Sequence, residues 1–174
     1  MKEVQEAIKR AAEAAFQSVR LAHPEDRFCG YALYSDADGS TVCPSVNTVA
    51  HFERIVQSGP ADSEYYRWSP AEWRYEFEGA EHFSTVFASL AELAKNTDDT
   101  FRPKLKNMVY EACVGALEQM KAEGFFNDLD QSGVLVFAVS DTFLEREGHW
   151  MDRLNSVDSA MQFHRWHEIT QRHS

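Results

Sequence analysis

Six consecutive apolar residues, Val134-Leu135-Val136-Phe137-Ala138-Val139, constrain this chain more than any other feature. Successive side chains of a strand point to opposite faces, so a run that is apolar at every position must be covered on both sides. The run therefore predicts a central strand held between two layers. It is also far shorter than the ~20 residues of a membrane helix. The start, Met1-Lys2-Glu3, carries no apolar signal core, so the chain is read as cytoplasmic, with no membrane partner.

The remaining elements are mostly helical. Residues Lys2 to Ala22 place Val4, Ile8, Ala11, Ala15 and Val19 at steps of three and four, the stripe of an amphipathic helix, and Pro24 follows it. Arg27 to Ser35 is short and aromatic, and Asp36-Ala37-Asp38-Gly39 separates it from Thr41-Val42-Cys43, which predicts a hairpin. Asn47 and Thr48 are caps for a short helix that Gly59-Pro60 closes. Helices are predicted over 82–95 and over 103–123, the second with Gly124 as its C-cap. Residues 141–174 are charged, with Leu154, Val157, Met161 and His164 at helical spacing, and are expected as a peripheral helical tail. This order does not alternate as a doubly wound sheet would. It fits a single α+β domain over 1–174, with helices packed on a small, mostly antiparallel sheet.

The composition excludes some partners. With 17 Lys+Arg against 28 Asp+Glu the net charge is −11, and affinity for a phosphate backbone comes from clustered bases, so no nucleic-acid partner is expected. The acids are concentrated. Residues 61–100 hold nine against three bases, and residues 121–152 seven against two. If the two segments meet, they form an acidic face suited to a basic partner; the plainer reading is a solubilising surface. Cys29, Cys43 and Cys113 lack metal-type spacing. Only Cys29 and Cys43, flanking the hairpin turn, lie near enough to pair, and a reducing compartment opposes that.

The unusual stretch is Tyr65-Tyr66-Arg67-Trp68-Ser69-Pro70-Ala71-Glu72-Trp73-Arg74-Tyr75-Glu76-Phe77. Ser69 as N-cap, Pro70 at the first helical position and Glu72 at the third make a capping box. Capping does not require such a density of Trp, Tyr and Arg, the types enriched in interaction hot spots. Two readings stand. In one, Trp68 and Trp73 are core and Arg67 pairs with Glu72 or Glu76. In the other, Tyr66, Arg67, Trp68, Glu72, Trp73 and Glu76 form a surface for a partner or ligand.

The run Tyr66 to Trp73, followed by Glu76 and much later by Gly124-Phe125-Phe126 and Ser140-Asp141, resembles a bacterial family known as domain of unknown function 4303. The resemblance spans nearly the whole chain and carries no catalytic residue over. Small acidic proteins of this kind are similar in behaviour to immunity proteins that bind and block a cognate toxin, which implies a non-catalytic binding module with a basic toxin as partner. The alternative is a small-ligand-binding protein or enzyme with a Trp/Arg/Glu-lined pocket.

Other chemistry is weakly encoded. Asp36-Ala37-Asp38-Gly39 lacks the later ligands of a calcium loop, so it reads as a turn. His149, His164, His167 and His173, with Asp152, would hold zinc or iron only if they converged, and they lack a recognised ligand spacing. Glu72 and Glu76, four apart, would share a helix face and suit general acid–base work, although Arg67 and Arg74 would more simply neutralise them. No catalytic, metal or cofactor site is predicted.

Overall fold

The computed structural model describes residues 1–59, 63–140 and 146–173, with side chains described as far as Thr170. Pro60, Asp62, Asp141, Glu145 and the side chain of His173 lie outside the described residues. The elements are α1 (Lys2–Ala22), β1 (Phe28–Ser35), β2 (Val42–Thr48), α2 (Val49–Ser58), α3 (Ser63–Trp68), β3 (Tyr75–Glu76), α4 (Ser84–Lys95), α5 (Arg102–Ala122), β4 (Val134–Val139), α6 (Glu147–Leu154) and α7 (Val157–His173). Together they form an α+β domain.

The sheet runs β3-β2-β1-β4. β2 is antiparallel to β1 and to β3, whereas β4 is parallel to β1, with Gly30 opposite Val134 and Ser35 opposite Val139. The apolar run is thus an outer strand, not the central one. Its composition reports that both faces are covered, and says nothing of the hydrogen-bonding edge. At that edge the side-chain amide of Asn155 replaces a neighbouring strand at one point. Asn155 Oδ1 accepts from the Leu135 amide and Nδ2 donates to the Leu135 carbonyl, both at 2.8 Å.

Strand alternation divides the core into two layers. On one face Tyr31 meets Phe16 of α1 at 5.1 Å, and Phe137 lies 5.7 Å from Tyr110 of α5 and 4.9 Å from Trp150 of α6, ring centre to ring centre. On the other face, Gly30 and Tyr34 receive the segment from α3 to β3 and then α7. The stretch expected as a peripheral tail instead supplies core: Trp150, Met151, Leu154 and Phe163 are buried. The expected helical spacing across Leu154, Val157 and Met161 fails because Asn155 is extended, with ψ near 178°, and breaks the helix. Val157 and Met161 are exposed, and the buried stripe of α7 is Ala160, Phe163 and His167.

The turn between β1 and β2 is organised by Asp36. Its carboxylate accepts from the Ser40 amide at 2.8 Å, the Asp38 amide at 3.2 Å, and the Ser40 and Thr41 hydroxyls. Gly39 takes the left-handed conformation there, with φ +70°. The register sets Cys43 opposite Tyr34, far along the hairpin from Cys29, and all three cysteines are free. Thr48 caps α2 through the His51 amide, and the backbone at Gly124 has φ +77° just beyond α5. Among the described residues no helix is long and apolar enough to cross a membrane.

Candidate functional site

The aromatic motif is built from a short helix, a break and a short strand. Ser69, confined by the proline after it, is extended and ends α3, and Pro70–Glu72 forms one 3-10 turn. The expected capping box does not form: Ser69 makes no side-chain cap bond, and a single turn leaves no helix for Glu72 to cap. Instead the Glu72 carboxylate accepts from the Tyr65 hydroxyl at 3.2 Å. Glu72 lies in this turn and Glu76 in β3, so they share no helix face.

Both tryptophans belong to the core. Trp68 is 3% exposed and Trp73 4%. Trp68 Nε1 donates to Glu64 at 2.9 Å, and its ring stands edge-on to Phe163 at 5.3 Å. Trp73 Nε1 donates to the Tyr66 carbonyl at 3.0 Å. Its six-membered ring lies on Gly30, where a Cβ would come within 2.8 Å of Cη2; only glycine leaves room there. Arg67 pairs with neither Glu72 nor Glu76. It donates to the Ser132 carbonyl, with its guanidinium 5.5 Å from the Trp68 ring. Of the six expected contact residues, Trp68 and Trp73 are thus structural, Tyr66, Arg67 and Glu76 are half-buried, and Glu72 is exposed.

The residue that follows β3 belongs to the unusual stretch but not to the six expected contact residues. Phe77 is 52% exposed and has φ +63°, the one positive φ on a non-glycine residue among those described. Its amide donates to the Pro44 carbonyl at 3.2 Å, and its carbonyl accepts from the Ala80 amide at 3.0 Å. The ring stands edge-on to Tyr34 at 5.7 Å. The Tyr34 hydroxyl donates to Glu76 at 2.8 Å. Burial, reinforced by Glu76, pushes that phenol far above its ordinary range and keeps it a donor. On the far side of Phe77, Glu78 meets His23 at 2.7 Å. No pattern in the sequence announces a left-handed phenylalanine.

Tyr34 also borders a cavity of about 460 Å³, lined among others by Tyr65, Trp68, Glu147, Phe163 and Trp166. The lining is mainly apolar and partly aromatic, and its polar residues are Glu147, 5% exposed, Ser69, Ser140 and the two tyrosines, Tyr34 and Tyr65. Such a cavity accepts an apolar body with one or two polar attachments. Arg67 is not part of it.

Among the described side chains the histidines do not gather into one group, and His173 lies outside them. His164 Nε2 meets Asp152 at 2.8 Å, His167 lies 3.9 Å from Glu147, and His149 is exposed. Burial, and secondarily the charge of His164, holds His167 below its ordinary pKa, which favours the neutral ring. Among the described residues no three His, Cys, Asp or Glu side chains are grouped to hold a metal. Both acidic segments carry exposed and paired carboxylates. Glu123, Asp128 and Asp130 are engaged by Lys9, Arg20 and Arg27 at 2.5–2.7 Å, although Glu123 and Asp128 remain exposed. Glu72, Glu81, Glu92, Asp98 and Asp99 of the other segment are exposed, and Asp99 pairs with Arg102 at 2.9 Å.

A family model described as "Domain of unknown function (DUF4303)" matches residues 8–156, from the first turns of α1 to the break before α7. No curated protein and no solved structure matches the chain.

Proposed function

The chain belongs to the DUF4303 family, and we propose that it is a non-catalytic protein-binding module of the immunity type, bacterial and cytoplasmic, that blocks a toxin by covering its basic surface. The observation that carries this reading is Phe77. A large apolar ring is held half in water on a backbone that L-residues avoid, so the fold uses only part of its surface. Glu76 and Glu78 flank it. Tyr34, which it touches, opens onto the cavity bordered by Tyr65, whose hydroxyl meets Glu72. An aromatic anchor with a carboxylate on either side in the chain, on a protein of charge −11, suits a partner that presents apolar and basic side chains together.

The test begins with the gene neighbourhood: the reading requires a toxin-like reading frame there, and its product is the probe. Expression of the chain protects cells from that product, and Phe77→Ala weakens binding at least tenfold with folding intact. Charge reversal at Glu72 and Glu76 slows association and flattens its salt dependence. Undiminished binding by Phe77→Ala, together with association indifferent to salt, would refute the reading.

A second reading, a receptor for a small ligand, draws on the aromatic cavity itself. Ala138→Phe, which fills the cavity from β4, would then abolish ligand uptake while leaving toxin binding intact.

A further inference from the structure

We propose that the chain has a separate binding site for a small monocarboxylate, in a notch of about 180 Å³ between α2 and β3, lined by Asp26, Thr48, His51, Arg54, Arg74 and Tyr75. It stands on geometry independent of the toxin reading, and all its residues lie within the stretch matched to the family.

The notch brings two guanidinium groups together in a chain with a large acidic surplus. Arg20, Arg27, Arg102 and Arg153 each pair with a carboxylate within 3 Å. Arg54 and Arg74 are exposed and, like Arg10, Arg67, Arg146 and Arg165, form no ion pair among the described residues; the notch is where two such arginines line one cavity. Both are nevertheless positioned. Arg54 Nη2 donates to His51 Nδ1 at 2.7 Å, which leaves the ring proton on Nε2, and Nε2 in turn donates to the Glu72 carbonyl at 3.1 Å. The Arg74 guanidinium lies 5.4 Å from the centre of the Tyr75 ring.

Thr48 adds a neutral donor. It is 3% exposed, and its Oγ1 accepts from the His51 amide at 3.2 Å. The hydroxyl proton donates to no acceptor among the described residues, so it remains available to a bound oxygen. A planar fork of N–H groups matches a carboxylate in two-point contact.

Charge narrows the ligand class. Asp26 shares the notch and accepts from the Tyr75 hydroxyl. Two guanidinium charges against one carboxylate leave one net positive charge, which matches a monoanion and works against a phosphate dianion. Asp26 also repels a second carboxylate, so a dicarboxylate is disfavoured. The volume admits only a small body on the bound carboxylate.

The test is a titration of the full chain with sodium acetate at pH 7 and constant ionic strength, followed by nuclear magnetic resonance of the Ala50 and His51 amides and the Arg54 and Arg74 side chains. The expected result is a saturable shift with an affinity on the order of millimolar. Arg54→Gln and Arg74→Gln each weaken it at least tenfold, whereas Arg10→Gln leaves it unchanged. Inorganic phosphate, titrated in the same way but at about pH 8, where the dianion predominates, binds more weakly than acetate does at that pH. Shifts that rise without saturation, an equal response to chloride, or undiminished affinity in both arginine variants would overturn the site. Tighter binding of phosphate would overturn the carboxylate assignment. Unchanged resonances elsewhere establish that the variants are folded.

Discussion

Replacing Phe77 by alanine and by glycine separates what its side chain contributes from what its backbone costs. About half of the ring is buried; full burial of a phenylalanine contributes about 1.5–3 kcal/mol, so the buried half contributes about 1 kcal/mol. The edge-on contact with Tyr34 adds about 0.5–1 kcal/mol. Phe77→Ala loses both and keeps a Cβ at φ +63°, so it is expected to destabilise the fold by about 1–2 kcal/mol. Phe77→Gly loses the same contacts and relieves the left-handed backbone, by about 1 kcal/mol. Glycine should therefore be the more stable of the two by about 1 kcal/mol, or about 2–4 °C in melting temperature for a chain of this size. Urea denaturation of the three proteins measures this directly, provided that the slopes agree. If alanine proves as stable as glycine, the backbone at Phe77 is unstrained. If either variant loses more than about 3 kcal/mol, the ring is structural and Phe77 is no binding anchor.

Gly30→Ala should destabilise by about 1–3 kcal/mol, because its methyl meets the Trp73 ring, and Trp73→Ala by about 3–5 kcal/mol. The double variant should lose less than the sum, since the methyl enters space the indole vacates; strict additivity in urea melts would dismiss that contact. Asp36 predicts a pH dependence. Burial pushes its carboxyl up, but the hydrogen bonds from Ser40, Thr41 and Asp38 outweigh this and hold it below its ordinary value. The folded pKa is thus below the unfolded one, and its contribution is present above about pH 4 and lost as pH falls through the folded value. Asp36→Asn should be less stable than the parent at pH 7, with the difference narrowing as the pH falls below about 4; a gap that persists undiminished in acid would contradict this.

Much of the fold could be read from the chain because its signals are local. The stripe of α1, the Asp36–Gly39 turn, the Thr48 cap and the Gly124 stop each depend on neighbours within a few positions. The parallel partner of β4 depends on residues far away, and an all-apolar strand looks the same in the middle of a sheet or at its rim. The motif was legible only as an anomaly. Trp68 and Trp73 are core because Gly30 and Phe163, remote in sequence, leave them room and a partner. Of the accessible residues beside them Glu72 is legible in the motif, whereas the left-handed backbone of Phe77 carries no signal, since it arises from how β3 leaves Pro44. The arginines of the notch are likewise unremarkable in sequence, at positions 54 and 74 on different elements.

The pairing of β1 with β4 also has a consequence for how the chain is made. Gly30 finds Val134 only after roughly a hundred residues have intervened, a closure that carries a substantial entropic penalty and slows folding. During synthesis β1 and β2 emerge early as a hairpin with one open flank, both of whose faces are apolar. Nothing permanent can occupy that flank until β4 is released, and Asn155 follows later still. A chain cut short before Val134 would present β1 as a bare, sticky edge, the form in which aggregation starts. The half-made protein is therefore the aggregation-prone species, and its yield should depend on translation reaching β4 more than on the strength of any contact within the finished fold.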